Sequence, residues 1–85
     1  MNLMTFKRGK LALVRVDLTE DSPVANKKIM NIRLPDSSVL VSIIRGDDVI
    51  VPKGDTVLLP KDDIVALTLV ENEKQLLDAL IGKIT

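Results

Sequence analysis

The stretch VLVSIIRGDDVIVPKGDTVLLPKDDIVALTLV, residues 39–70, decides the fold. Three apolar runs, Val39–Ile44, Val49–Val51 and Ile64–Val70, are rich in β-branched residues and separated by charged turns. Val57–Leu59 is a shorter piece between two of those turns. Runs of this length bounded by Gly, Pro and Asp read as consecutive antiparallel strands. Arg45-Gly46-Asp47-Asp48 is the sharpest reversal. Gly at the first central position tolerates the positive φ of a tight two-residue hairpin. Pro52-Lys53-Gly54-Asp55 and Pro60-Lys61-Asp62-Asp63 mark the next two turns. No catalytic motif falls in this stretch, so the sheet reads as a platform.

Working outward, Leu11–Leu18 alternates as a further strand. Ala12, Val14, Val16 and Leu18 fall on one face, and Leu11, Leu13, Arg15 and Asp17 on the other. Arg15 and Asp17 are placed to pair. Two helix starts compete after the loop at 19–23. Ser22 is placed to cap a helix with Pro23 at its first position. Alternatively Asn26 caps a shorter helix from Lys27 to about Ile32, the preferred reading, because Ile29 and Ile32 then form one stripe. A second helix closes the chain over Asn72–Ile81. Asn72 is its N-cap, Gln75 completes a capping-box spacing, Leu76, Leu77, Leu80 and Ile81 form its apolar stripe, and Gly82 takes the left-handed C-cap. The expected architecture is α+β: a small β-α-β-β-β-α domain with an antiparallel sheet and two helices.

Val39–Ile44 is nearly all apolar, which predicts a strand buried on both faces. Two helices cover one face. The other face then needs a second copy of the chain or another protein, with Val39, Val41 and Ile43 as candidate contacts. Met1–Lys10 has no clean period and reads either as a frayed terminus or tag remnant, or as an arm. An arm would dock Phe6 on a partner. The chain therefore divides into an arm at 1–10 and one domain at 11–85.

At 85 residues, one domain is the sensible count. Phe6 is the lone aromatic, and there is no Trp, Tyr, His or Cys. That composition removes the usual zinc, haem and iron–sulfur ligand sets and any nucleophile activated by a histidine of this chain. It also removes disulfides, which fits a reducing compartment. Lys plus Arg balances Asp plus Glu at 12 each. Nucleic-acid binders present a basic face and stacking aromatics, and neither is apparent. A net charge of zero lowers self-repulsion and is compatible with self-association. No apolar run approaches a membrane span, and no signal-peptide pattern is present.

Each charged cluster has a bland reading beside a functional one. Asp47-Asp48 and Asp62-Asp63 offer oxygen ligands for a hard cation, yet turns favour Asp for backbone reasons alone. Arg45 is suited to an anionic ligand, or to pairing with Asp47 or Asp48 across the hairpin. Lys27 and Lys28 at a helix start would face the positive end of its dipole, which suggests an anion nearby or simply a solvated pair. Lys27, Lys28 and Arg45 are thus the candidate ligand-binding residues. No catalytic or metal-ligating set emerges, and no Gly-rich nucleotide loop is present.

In this order the residues resemble a family, the TrkA-C domain or C-terminal RCK domain of potassium-transport regulators. The resemblance spans roughly Ala12 to Gly82. It is carried by Val14-Arg15-Val16, by Ser22-Pro23-Val24-Ala25-Asn26-Lys27-Lys28-Ile29, and by Ile43-Ile44-Arg45-Gly46. Val51-Pro52, Gly54-Asp55-Thr56-Val57-Leu58 and Lys61-Asp62-Asp63-Ile64-Val65 extend it. Asn26 and Lys61 stand where the family pattern usually has Gly.

The resemblance implies a non-enzymatic regulatory domain, usually dimeric, within a cytoplasmic ring on the inner face of the cell membrane. Its partners would be a nucleotide-binding RCK (TrkA-N) protein and a membrane potassium transporter. NAD(H) or ATP would be held by the partner domain and not by this chain. Some members bind a regulatory ligand at the dimer interface, cyclic di-AMP or a divalent cation. The nucleotide-binding half is missing here, which implies either an excised fragment or a free-standing subunit; Met1 ahead of a non-tag-like arm favours the second. The alternative is a stand-alone sensor of cyclic di-AMP or another anion, attached to a different cation transporter or antiporter.

Overall fold

A computed structural model describes residues 2–82. The described residues form five strands: β1 (Asn2–Phe6), β2 (Leu11–Asp17), β3 (Ser38–Arg45), β4 (Asp48–Ile50) and β5 (Asp63–Leu69). They form one sheet in the order β1-β2-β5-β3-β4, and every neighbouring pair is antiparallel. Helix α1 (Glu73–Ile81) follows β5 through a 3-10 turn at Val70–Asn72. The expected Gly46 turn is present: Arg45 pairs with Asp48, and Gly46 has φ +60°.

The core lies on one face of this sheet. Ala12, Val14, Val16 and Leu18 from β2 and its exit are buried, as their alternation predicts. Ile64, Ala66 and Thr68 from β5 stand beside them, and the Thr68 hydroxyl meets that of Ser38 at 2.7 Å. Leu76 and Leu80, one helical turn apart, close the layer, with Leu77 and Ile81 partly buried at its margin.

The first expected helix is not there. Residues 27–32 contain a three-residue 3-10 turn, Ile29–Asn31. Among the described residues, α1 is the α-helix of the domain. The reason is tertiary. The Asn26, Ile29 and Met30 N–H groups donate to the Leu58, Thr56 and Gly54 carbonyls, while the Leu58 N–H donates to Lys27. The segment is thus tied in extended form alongside 54–58, with Lys28 bridged to Val57. Asn26 caps nothing and instead takes φ +67°. Ile29 and Ile32 still pack on the core, and Val24 and Leu58 are buried in it, so a stapled loop does the work expected of a helix.

Asn72 precedes α1 as expected, but its side chain makes no capping bond. Its Nδ2 donates to the Asp36 carbonyl at 2.9 Å, anchoring the β3 approach to the helix start. Gly82 ends the helix at φ +90°, its N–H donating to the Asp78 carbonyl.

The terminus read as an arm pairs as β1 on the sheet edge, Phe6 opposite Leu11 and Met4 opposite Leu13. All five β1 residues are exposed, which is why no hydrophobic period marks them. Its turn is unusual: Lys7 and Arg8 have φ +50° and +57°, ahead of Gly9 at +81°. Non-glycine residues in that region cost about 1–2 kcal/mol each.

Candidate functional site

Two features stand out: an uncovered apolar sheet face, and two arginine–aspartate pairs at one end of the sheet. Residues opposite each other in an antiparallel ladder share a face. Leu13, Leu67 and Val39 stand in one such row on the side away from the core, and Leu11 and Leu69 in the next. Val39 is 55% exposed and Val41 43%. Met4 and Phe6 of β1 continue the same rows outward and are also exposed. The chain on its own therefore leaves the second face of β3 open, where the sequence had suggested burial on both.

A bulge decides which β3 residues belong to that face. The register with β5 shifts between Leu40 and Ser42, opposite Ala66 and Val65. The extra residue resets the alternation. Val39 and Val41 point outward, while Leu40 and Ile43 point into the core, Ile43 with no exposed surface. Ile43 is therefore a core residue and not part of any contact surface with Val39 and Val41.

The expected charge partners also change. Arg45 does not reach Asp47 or Asp48. Its Nε donates to Asp62 Oδ1 and its Nη2 to Asp62 Oδ2, both at 2.8 Å, and Nη2 also donates to the Val57 carbonyl at 2.9 Å. The Leu59 N–H donates to Asp62 Oδ2 at 2.9 Å. Burial would push the Asp62 carboxyl up, but the bonds from Arg45 and Leu59 and the Arg45 charge together hold it below its ordinary value. The bond to Asp62 in turn raises Arg45. Arg15 likewise bonds Asp63, with Asp17 adding a weaker attraction. Asp63 Oδ1 is buried without a hydrogen-bond partner among the described residues.

The three candidate ligand residues converge in part. Lys27 and Lys28 run beside Leu58 and Val57, and Arg45 reaches the Val57 carbonyl. Both lysines are exposed. The Arg45 fork is occupied by Asp62, so an anion there would have to compete with a buried carboxylate. The aspartate pairs supply no metal centre: among the described residues no group of three or more acidic, His or Cys side chains is placed to hold an ion. No described helix is long and apolar enough to cross a membrane.

The model of the TrkA-C domain matches residues 13–81. The chain belongs to the TrkA-C domain family. It is 33% identical over 76 residues to the Trk system potassium uptake protein TrkA of Mycobacterium tuberculosis, in strains CDC 1551 / Oshkosh and H37Rv. The match covers 89% of this chain and 34% of each relative, so the chain spans about a third of their length. A solved structure described as an RCK domain with cda superposes with a TM-score of 0.69 at 28% identity, over 80% of this chain and 96% of that one. This TrkA-C domain is thus a non-catalytic domain related to part of a potassium uptake protein. Its two family glycine positions are informative. Asn26 and Lys61 both adopt positive φ, +67° and +75°, so the turns keep the glycine-type shape without glycine.

Proposed function

We propose that this TrkA-C domain is a regulatory module of a potassium-uptake system that dimerises through its open sheet face. The carrying observation is the apolar surface in which half-buried Leu13 of β2 and Leu67 of β5 adjoin exposed Val39 and Val41 of β3. In this reading the dimer docks with a nucleotide-binding RCK protein, which holds NAD(H) or ATP. The assembly lies on the inner face of the membrane beside a potassium transporter. A ligand acts on such a module only through different affinity for two dimer arrangements.

Kinship with an RCK domain solved with cda favours a ligand-responsive role. In this chain Lys27 and Lys28 are the exposed cations for an anionic ligand such as cyclic di-AMP, with Arg45 recruited only if Asp62 releases it. Calorimetric titration of the chain with cyclic di-AMP, with and without a TrkA-type nucleotide-binding subunit, tests this. Binding that needs the subunit supports a gating module. Tight binding by the chain alone supports the sensor reading. No interaction with either the ligand or the subunit contradicts both.

A further inference from the structure

We propose that the β1 hairpin is a swap element: in a second association mode, β1 of one copy leaves its own β2 and pairs with β2 of another. This is independent of the open-face dimer. Three observations converge on it. First, β1 is held mainly through β2 and an Asn2–Glu73 hydrogen bond of 2.8 Å, with all of its residues exposed. Second, its turn places two non-glycine residues, Lys7 and Arg8, at positive φ. Strained short hinges favour exchange of the element they tether, because the closed form alone carries the strain.

Third, the register closes on itself. Met4, Thr5 and Phe6 pair with Leu13, Ala12 and Leu11. Continuing that register past Phe6 in an opened chain sets Lys7 opposite Lys10, and Arg8 opposite Gly9, of the second copy. The two-fold axis then falls between Arg8 and Gly9, and residues 4–13 of two chains form one uninterrupted antiparallel ribbon, with the register shift before Met4 kept at each end. Every β1–β2 contact of the closed hairpin is kept, and the left-handed turn disappears. The opposing force is charge, because Lys7, Arg8 and Lys10 of both copies meet at the crossover. Screening by salt therefore favours the swapped form.

The chain has no cysteine, so introduced thiols report the pairing directly. Thr5→Cys with Ala12→Cys lies in register on the core side of the sheet, away from the open face. Oxidation is followed on a non-reducing gel across protein concentration and salt. The swap predicts covalent dimers that rise with both, and a drop of about tenfold on adding Lys7→Asn/Arg8→Gly, the pair a tight primed turn prefers. Disulfides confined within single chains under all conditions would overturn the proposal. Covalent dimers indifferent to the turn substitution would overturn the strained turn as their cause. Should the Ala12→Cys chain fail to fold, Asn2→Cys/Glu73→Cys with a short bis-maleimide gives the same readout at surface positions. An open-face dimer without exchange leaves both cross-links within one chain.

Discussion

Arg45 grips Asp62 through two parallel 2.8 Å bonds, joining the end of β3 to the turn that launches β5. The aspartate side chain is 1% exposed, and its second oxygen also holds the Leu59 N–H. Around it, Leu18 donates to the Asp62 carbonyl and Lys61 donates to the Leu18 carbonyl. The buried carboxylate thus ties β3 to the 59–62 turn, and the backbone of that turn ties it to the β2 exit. Removing the arginine leaves that charge without its cation. Arg45→Met should cost about 3 kcal/mol by urea unfolding, because an uncompensated buried charge is expensive. Arg45→Met combined with Asp62→Leu should recover part of that loss. A loss below 1 kcal/mol in the single variant would mean that the pair is not important to the fold.

The same pair sets an acid response. The Asp62 carboxyl is lowered in the folded chain relative to its unfolded value of about 3.9. Its stabilisation is therefore complete above that unfolded value and lost as pH falls through the lower folded one. Melts of the native chain and Asp62→Asn should differ most at neutral pH and converge below about pH 4. A difference that widens on acidification would reverse the assigned sign.

Lys61 makes a cleaner backbone test. It holds φ +75° at a position where the family pattern has glycine, and its side chain is exposed. Lys61→Gly should stabilise the domain by about 0.5–1 kcal/mol, relief of the left-handed penalty exceeding the added chain entropy. Lys61→Val should do the opposite. Thermal melts of the two variants decide it, and equal shifts would show that backbone shape does not matter there.

Much of this architecture was legible in the sequence, and the gaps have physical causes. Alternation located β2 because one of its faces is buried, and β5 was legible as a β-branched apolar run between turns. The Gly46 turn was legible because positive φ has few residue solutions. The segment at 27–32 misled because Ile29 and Ile32 are spaced three apart, which suits a helix and a stapled loop equally. What decides between them is bonding to 54–58, distant in sequence. The Arg45–Asp62 pair spans 17 positions and leaves no local trace. The β3 bulge moved Ile43 from the expected contact surface into the core, since one inserted residue inverts the alternation after it. Among the candidate ligand residues, sequence could identify Lys27, Lys28 and Arg45 as cations, but not that Asp62 already occupies Arg45.

Dimerisation through the open face is read out by sedimentation equilibrium. Val39→Glu with Val41→Glu places two charges on an exposed surface, where substitutions change fold stability by only about 0.5 kcal/mol. The native chain should dimerise, and the double variant should remain folded while its dimer weakens at least about 100-fold, as expected when an apolar contact must bury charge. A native chain that stays monomeric at millimolar concentration, or a double variant that dimerises as well as the native chain, would contradict the claim.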